Sequence, residues 1–484
     1  MEMEMNIRTQ IPNKESEKLQ IITDPDILAG YLEDSARTPG GWAKGLVRPD
    51  TEAQISAFLR NSLKQNHTVL PVGAQTSLTA GGTPFGDWIL STEKMNTIKK
   101  IEKKTGGGGT VVCEPGLPLL ELQKEVRKHG LFYPPAPTYD LAFLGGTIST
   151  NASGSAAFKY GTTRDWVKRV RMVLASGEIL EVIRGEHVFR SGQKVSIERP
   201  GGNTYEIILP NYSVPELRKI SGGYFARLET DLIDLLIGSE GTLGVFSEIE
   251  LELIDLPFSQ VSGIAFFDSE EKAVSFAETV REISKKTWQE KDPYAIDIRA
   301  IEFMDNAALN LLVERGKNKE LRVNIPSFAG TGIYFEMELS KEAINEETET
   351  LLEKVWEGMT PDVENNPLAK LFLLFREYNV LESLEFAFPE ETETQERFRK
   401  FREAVPETVS EIIKENQNHY DHSISKVAFD LIVPFEKFRA LLGICRQKLD
   451  EQKLDYAIWG HISDGNIHPN ILAISEQQMI EARK

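Results

Sequence analysis

"LGGTISTNASGSAAFKYGTTRDW", residues 144–166, is dominated by glycine, serine, threonine and alanine and leads straight into the strand-like run "VKRVRMVLASGEIL". Two further stretches share the habit: "PVGAQTSLTAGG", residues 71–82, directly after a strand-like run, and "IGSEGTLGVFSEIELEL", residues 237–253. Each leaves backbone amides exposed where a bulky side chain would obstruct a ligand. In the 71–82 stretch, Gly73, Ala74, Thr76 and Ser77 offer N–H groups and two hydroxyls that can converge on an anion such as a pyrophosphate. No stretch fits GxGxxG after a strand or GxxxxGK[ST], which removes the Rossmann and P-loop readings. Gly106 to Gly109 in "IKKIEKKTGGGGTVVCEPG" have charged, turn-like flanks and read as the connection of a hairpin.

A chain of 484 residues with 40% hydrophobic content is expected to fold around two or more cores, with room to bury a large ligand. A net charge of -19 argues against nucleic acid or an anionic membrane as the main partner, so an anionic substrate needs a local basic pocket. "MEMEMNIRTQIPNKESEK" lacks a basic start and an apolar core and does not read as a signal peptide. No run reaches the roughly 18 to 20 apolar residues of a membrane span. Cys113 and Cys445 lie far apart and outside any CxxC, giving no disulfide framework or thiolate metal site. The expected location is the cytoplasm, with peripheral membrane attachment left open.

From about residue 47 short apolar runs alternate with helical stretches, beginning "AQISAFLRNSLKQNHTVLPVG", where a helix leads into the strand "TVLPV". Residues 184–225 are polar and rich in Gly and Pro, and read as an insertion or surface loop. After "LELIDLP" longer amphipathic helices appear, interleaved with strands such as "GIYFEMEL". The expected division is an N-terminal segment 1–46, a first domain 47–256 and a second domain 257–484, of α/β or α+β class.

In "GHISDGNIHPN", residues 460–470, Asp464-Gly465 has the character of a two-residue hairpin turn. That turn would set His461 opposite His468, with Cβ atoms about 4.5 to 5.5 Å apart on one face. Two imidazoles so placed can share a divalent metal or form a stacked pair. His419 and His422 in "NQNHYDHS" read as solvent-exposed.

Taken in this order, "YGTTRD", "GSEGTLG" and "GHISDGNIHP" resemble the vanillyl-alcohol oxidase type flavoproteins, in the branch of glycolate oxidase subunits and D-lactate and D-2-hydroxyglutarate dehydrogenases. The resemblance runs from about Val47 to Asn470. It implies an α+β fold: a two-subdomain PCMH-type FAD-binding domain followed by an α+β, ferredoxin-like cap domain. It implies FAD as cofactor, with the pyrophosphate loop on Pro71, Gly73, Ala74, Gln75, Thr76, Ser77 and Leu78; Gln75 stands where the family has a small residue. Flavin and ribityl contacts fall on Pro137, Thr138, Gly145, Gly146, Ser149, Asn151, Ser153, Gly154, Tyr160 and Gly161, with Gly241 and Gly244 near the flavin edge. Glu240 belongs with them or is a turn residue.

The resemblance further implies hydride transfer from a D-2-hydroxy acid to the flavin, with electrons passing to a cytochrome, quinone or electron-transfer flavoprotein. Arg402 in "FRKFREAVPE" matches the family's carboxylate-binding arginine, although its charged neighbours Arg397, Arg399, Lys400 and Glu403 also suit a solvated helix face. Lys426 resembles a substrate lysine with altered spacing, and Asn470 a substrate contact. His461 and His468 match two ligands of a divalent ion such as Zn or Mn, with Ser463 in place of a glycine. Family members continue to a Glu-His-Gly element with a third ligand and a base, so the sequence reads as shortened. A homodimer or a partner subunit supplying that element, a catalytically incomplete flavin-binding subunit, and a synthase of the alkyl-glycerone-phosphate kind are the alternatives this leaves.

Overall fold

Thr51, in extended conformation, accepts the Gln54 N–H with its hydroxyl and starts the helix Glu52–Lys64, which buries Ile55 and Leu59. The chain then enters Val69–Val72, as the sequence suggests. This strand pairs in parallel with Phe85–Ser91, which in turn pairs in parallel with Trp42–Val47; Ile21–Ile22 completes a four-stranded sheet. The computed structural model describes residues 7–12, 19–135, 137, 139–190, 192–209, 217, 219–220, 222–343 and 348–483. Thr138 lies outside them.

A larger sheet runs in the order Thr204–Ile208, Lys194–Glu198, Ile7–Gln10, Ile179–Ile183, Val167–Val173, Val245–Asp255, Gly109–Cys113, Ile98–Lys103, with Leu131–Phe132 pairing the end of Val245–Asp255. The Gly106 to Gly109 connection joins an antiparallel hairpin. Residues 184–225 are not simply a loop. Lys194–Glu198 and Thr204–Ile208 form a hairpin that extends the sheet through Ile7–Gln10. Val195 and Ile197 alternate with exposed Lys194 and Ser196, a period-2 pattern that the surrounding polar residues and glycines obscured.

The chain divides into two compact units. One holds residues 1–154 and 161–256, the other residues 155–160 and 257–484. In the second unit an antiparallel sheet has Ser259–Phe267, Thr331–Leu339, Ile298–Asp305, Tyr456–Gly460 and Asn466–Ile471 as its central strands. Helices Glu270–Glu290, Pro367–Glu377 and Phe438–Glu451 contribute to the core on one face. Asn306–Glu314 and the long Thr392–His419 helix contribute to a second core that includes Phe266, Met304 and Tyr334. Covered on both sides, Thr331–Leu339 is buried along its whole length. Among the described residues no helix is long and apolar enough to cross a membrane.

Candidate functional site

In the first unit the three glycine-rich stretches meet. A Cβ built on Gly73 would lie 3.5 Å from the Phe143 Cβ and 3.9 Å from the Gly146 Cα, which ties the 71–82 loop to the short helix Leu144–Ser149. The third stretch joins them through Gly238 N–H to the Ile148 carbonyl at 3.0 Å and Glu240 N–H to the Ser149 carbonyl at 2.8 Å. Gly241, at φ +76°, sits so close to Pro71 that an added Cβ would be 2.8 Å from its Cγ. Arg164, from "YGTTRD", clamps this junction: its Nη2 donates to the Ile237 carbonyl at 2.8 Å, its Nη1 to the Asp234 carbonyl, and its backbone N–H to Asn151 Oδ1 at 2.9 Å. Asn151 uses its Nδ2 on the Ile220 carbonyl, so its carboxamide holds the junction together. Arg164 was not anticipated as a site residue.

What the junction leaves unused is backbone and space. Among the described residues the N–H groups from Gly73 to Leu78 meet no acceptor, and Gly146 N–H meets none. A Cβ on Gly146 would touch nothing within 4 Å. The Ser153 and Ser239 hydroxyls are buried without a hydrogen-bond partner. Such a cradle suits a pyrophosphate-bearing ligand. Gln75, at φ +51°, turns its side chain away, its Nε2 donating to the carbonyls of Tyr31, Glu33 and Gly82, each at 3.0 Å. The larger side chain is thereby kept out of the amide loop.

Other glycines have packing reasons of their own. A Cβ on Gly145 would strike Pro115 at 2.7 Å, on Gly244 the Val173 carbonyl at 2.6 Å, and on Gly161, at φ +80°, Asp165. Pro137 is partly buried, Gly154 buried and Leu78 half exposed. Tyr160 falls in the second unit, where its hydroxyl donates to Glu338 at 2.6 Å and Lys159 pairs with Glu338 and Asp297, each at 2.7 Å.

In the second unit, strand register gathers the expected side chains. Met304 is opposite Trp459, Trp459 opposite His468, and Asn470 opposite both Ala457 and Ala428. Because residues two apart share a face, Glu302, His468 and Asn470 stand on one side of the sheet with Met304, Trp459 and Ala457. Arg402 reaches it from the Thr392–His419 helix. Its Nε and Nη2 donate to Glu302 Oε2 at 2.7 and 2.5 Å, and His461 Nδ1 contacts Glu302 Oε1 at 2.6 Å. Burial alone would raise the Glu302 carboxyl, but the charges of Arg402 and His461 outweigh it and hold it at about 2. His461 Nδ1 therefore donates to an ionised carboxylate.

Sequence reading missed Glu302. The available signal was a lone acid inside the apolar run "AIEFM", since a charge in a strand covered on both faces must find a partner. Lys426 is largely buried, with its Nζ on Ser410 Oγ at 3.3 Å, and burial lowers its ammonium to about 8. Asn470 donates to the His468 carbonyl at 3.0 Å, while its Oδ1 is buried without a partner. His419 and His422 are exposed.

The hairpin expected around Asp464-Gly465 is different. His468 lies opposite Trp459 instead of His461, and Ile462–Asp464 forms a 3-10 turn closed by Gly465 at φ +73°. Ile462 is fully buried in the core, and both Asp464 N–H and Asn466 N–H close on the His461 carbonyl, which requires a connection longer than two residues. The imidazoles still meet, with centroids 5.2 Å apart and planes at 85°, but edge to face. Each turns its Nδ1 to a carboxylate, His468 toward Asp430 at 3.3 Å. Among the described residues no group of three or more His, Cys, Asp or Glu could hold a metal ion.

Comparison with known proteins agrees with this geometry. The FAD binding domain family matches residues 43–183, and the family of C-terminal domains of FAD linked oxidases matches residues 256–484. D-lactate dehydrogenase of Anaerostipes hadrus is 26% identical over 424 residues, covering 87% of this chain and 72% of that protein. Mitochondrial D-2-hydroxyglutarate dehydrogenase of Rattus norvegicus is 26% identical over 460 residues, covering 94% and 69%. Glycolate oxidase subunit GlcD of Bacillus subtilis is 24% identical over 441 residues, covering 91% and 75%. A solved structure of alkyldihydroxyacetonephosphate synthase superposes with a TM-score of 0.56 at 15% identity, over 91% of this chain and 72% of that one, and shares the fold.

An amide-lined cradle on one unit and a covered antiparallel sheet on the other define a two-domain flavoprotein. The chain joins an FAD binding domain to a C-terminal domain of FAD linked oxidases, its cofactor is FAD, and these dehydrogenases and the glycolate oxidase subunit are among the proteins it is similar to.

Proposed function

We propose that the protein oxidises a D-2-hydroxy acid of the D-lactate, glycolate or D-2-hydroxyglutarate type to the 2-oxo acid and passes the electrons to a cytochrome, quinone or electron-transfer flavoprotein. The observation that carries this reading is Lys426, a buried cation whose recorded partner is the neutral Ser410 hydroxyl. A buried ammonium is stabilised by an anion, and a hydroxy acid supplies one. The names of the relatives supply the substrate class.

FAD, when bound, supplies the two-electron acceptor for the substrate C2–H bond. In this reading the amides of Gly73 to Leu78 and Gly146 and the Ser153 hydroxyl hold it, with Pro137, Ser149, Gly154, Gly161, Glu240 and Gly241 around the isoalloxazine and ribityl chain. Lys426 pairs with the substrate carboxylate, Arg402 stands as the second cation, and Asn470 Oδ1 accepts from the substrate hydroxyl.

The test is photometric. Anaerobic addition of D-lactate, glycolate or D-2-hydroxyglutarate is expected to bleach the flavin with one of them strongly preferred. Flavin that none of a broad panel of 2-hydroxy acids reduces would overturn the proposal.

A further inference from the structure

The Arg402 guanidinium and the His461 imidazole come from separate elements, a helix and the residue after a strand. They are joined by one side chain from a third. Glu302, 1% exposed in the strand Ile298–Asp305, gives Oε2 to Arg402 through Nε and Nη2, and Oε1 to His461 through Nδ1. A carboxylate bound along one edge of a guanidinium fixes its plane, because the fork geometry is rigid. The same carboxylate, accepting from Nδ1, fixes the imidazole tautomer and its ring tilt. The strand that carries Glu302 is itself immobilised. Ile301 and Phe303 are fully buried on its other face, and Asp305 at its end caps the next helix by accepting the Ala308 N–H at 2.8 Å.

We infer that Glu302 is a positioning residue for substrate: it sets the plane of Arg402 and the tilt of His461 against which a hydroxy acid is bound, without itself touching the acid. This rests on the reading of the second unit's face as the hydroxy-acid site. A merely structural ion pair would influence stability and leave affinity alone. A positioning residue must act through the groups it orients, so the part of its effect on affinity that runs through Arg402 must vanish when Arg402 is absent.

The flavin-loaded, oxidised protein is titrated with oxalate and with pyruvate as unreactive anions, and the shift of the flavin absorbance is read as Kd. E302Q keeps the shape and loses the charge; E302D keeps the charge and loses reach, and decides the matter if E302Q does not hold flavin. Either variant is expected to weaken Kd at least tenfold and to raise KM more than it lowers kcat. In an R402M background E302Q should weaken Kd by much less than it does in the wild type, because only the route through His461 remains. A folded E302Q or E302D holoprotein that binds within twofold of wild type overturns the positioning role, as does a full second loss on top of R402M. Wild-type flavin that no acid perturbs sinks the substrate reading and this inference with it. Wild-type binding with an indifferent E302 variant sinks this inference alone.

Discussion

Around Gly73, Gly146 and Gly241 the first unit offers backbone amides and empty space, whereas under the Thr392–His419 helix the second unit offers charged side chains already engaged with one another. The two regions fail differently under mutation. A site made of backbone and space is damaged by what is added to it, and a site made of buried charge by what is taken away. Removing one partner from the second unit should therefore have the largest effect. R402M leaves the Glu302 carboxylate buried beside His461 and is expected to cost about 3–5 kcal/mol of unfolding free energy. Replacing both charges, as in E302L/R402M, is expected to recover most of that, because a well-packed apolar pair is often neutral. Denaturant melts of the three proteins decide it; a double variant no more stable than R402M would contradict the account.

The same pair has an acid signature. Glu302 is held below its ordinary carboxyl value, at about 2. Its contribution is therefore present in full above pH 4.5 and is lost as the pH falls through about 2. In R402M that low-pH component should shrink, bringing acid unfolding to a higher pH.

In the first unit the damaging change is an addition. Beyond its chain neighbours and the backbone of its own helix, no protein atom lies within 4 Å of a Cβ on Gly146, so G146V should leave the apoprotein's melting temperature almost unchanged. If the cradle holds FAD as proposed, the extra methyls meet it, and overpacking of about 1–3 kcal/mol is roughly a five- to 150-fold loss of FAD affinity. Fluorimetric titration of apoprotein checks this; unchanged affinity would move the cofactor away from Gly146. Gln75 gives a milder effect of opposite kind. Q75A removes three hydrogen bonds to the Tyr31, Glu33 and Gly82 carbonyls, worth about 1–2 kcal/mol of stability for partly exposed groups. It leaves the loop amides in place, so FAD affinity should change less than stability.

The same contrast explains what was legible in the sequence. Backbone sites announce themselves, because amides stay accessible only where side chains are small, and the three stretches could be picked out and joined without knowing any distance. Their packing could not. Gly145 and Gly244, which look like cofactor residues in sequence, also have a packing reason to be small, because Pro115 or Val173 leaves no room for a Cβ. In the second unit Arg402, Lys426, His461, His468 and Asn470 were identified by resemblance, but their arrangement depends on strand register. Burial of Ile462 lengthened the turn and moved His468 opposite Trp459, which the Asp-Gly pair alone could not reveal. Glu302 lies 100 residues before Arg402 and 159 before His461, and no local pattern connects them. The hairpin within residues 184–225 was hidden for another reason, since its alternation is short and set among Gly and Pro.

Lys426 gives the smallest effect and the sharpest sign. Its ammonium, lowered by burial to about 8, stands well below the ordinary 10.5 of the unfolded chain, so between those values the unfolded state binds the proton and the folded state does not. Stability should therefore rise with pH across that window. Affinity for a carboxylate should do the opposite, because the anion needs the charged ammonium: above about pH 8 the Kd of oxalate for the oxidised flavoprotein is expected to weaken roughly tenfold per pH unit. K426R stays charged throughout and should flatten the profile, while K426M should be weak at every pH. A wild-type Kd that is level from pH 7 to 10, or a K426R profile that still breaks near 8, would mean that the anion is held by Arg402 without Lys426. The substrate site would then be as fully engaged with its own side chains as Glu302 is. Opposite slopes for stability and binding, both removed by K426R, can come only from a cation buried ahead of its partner.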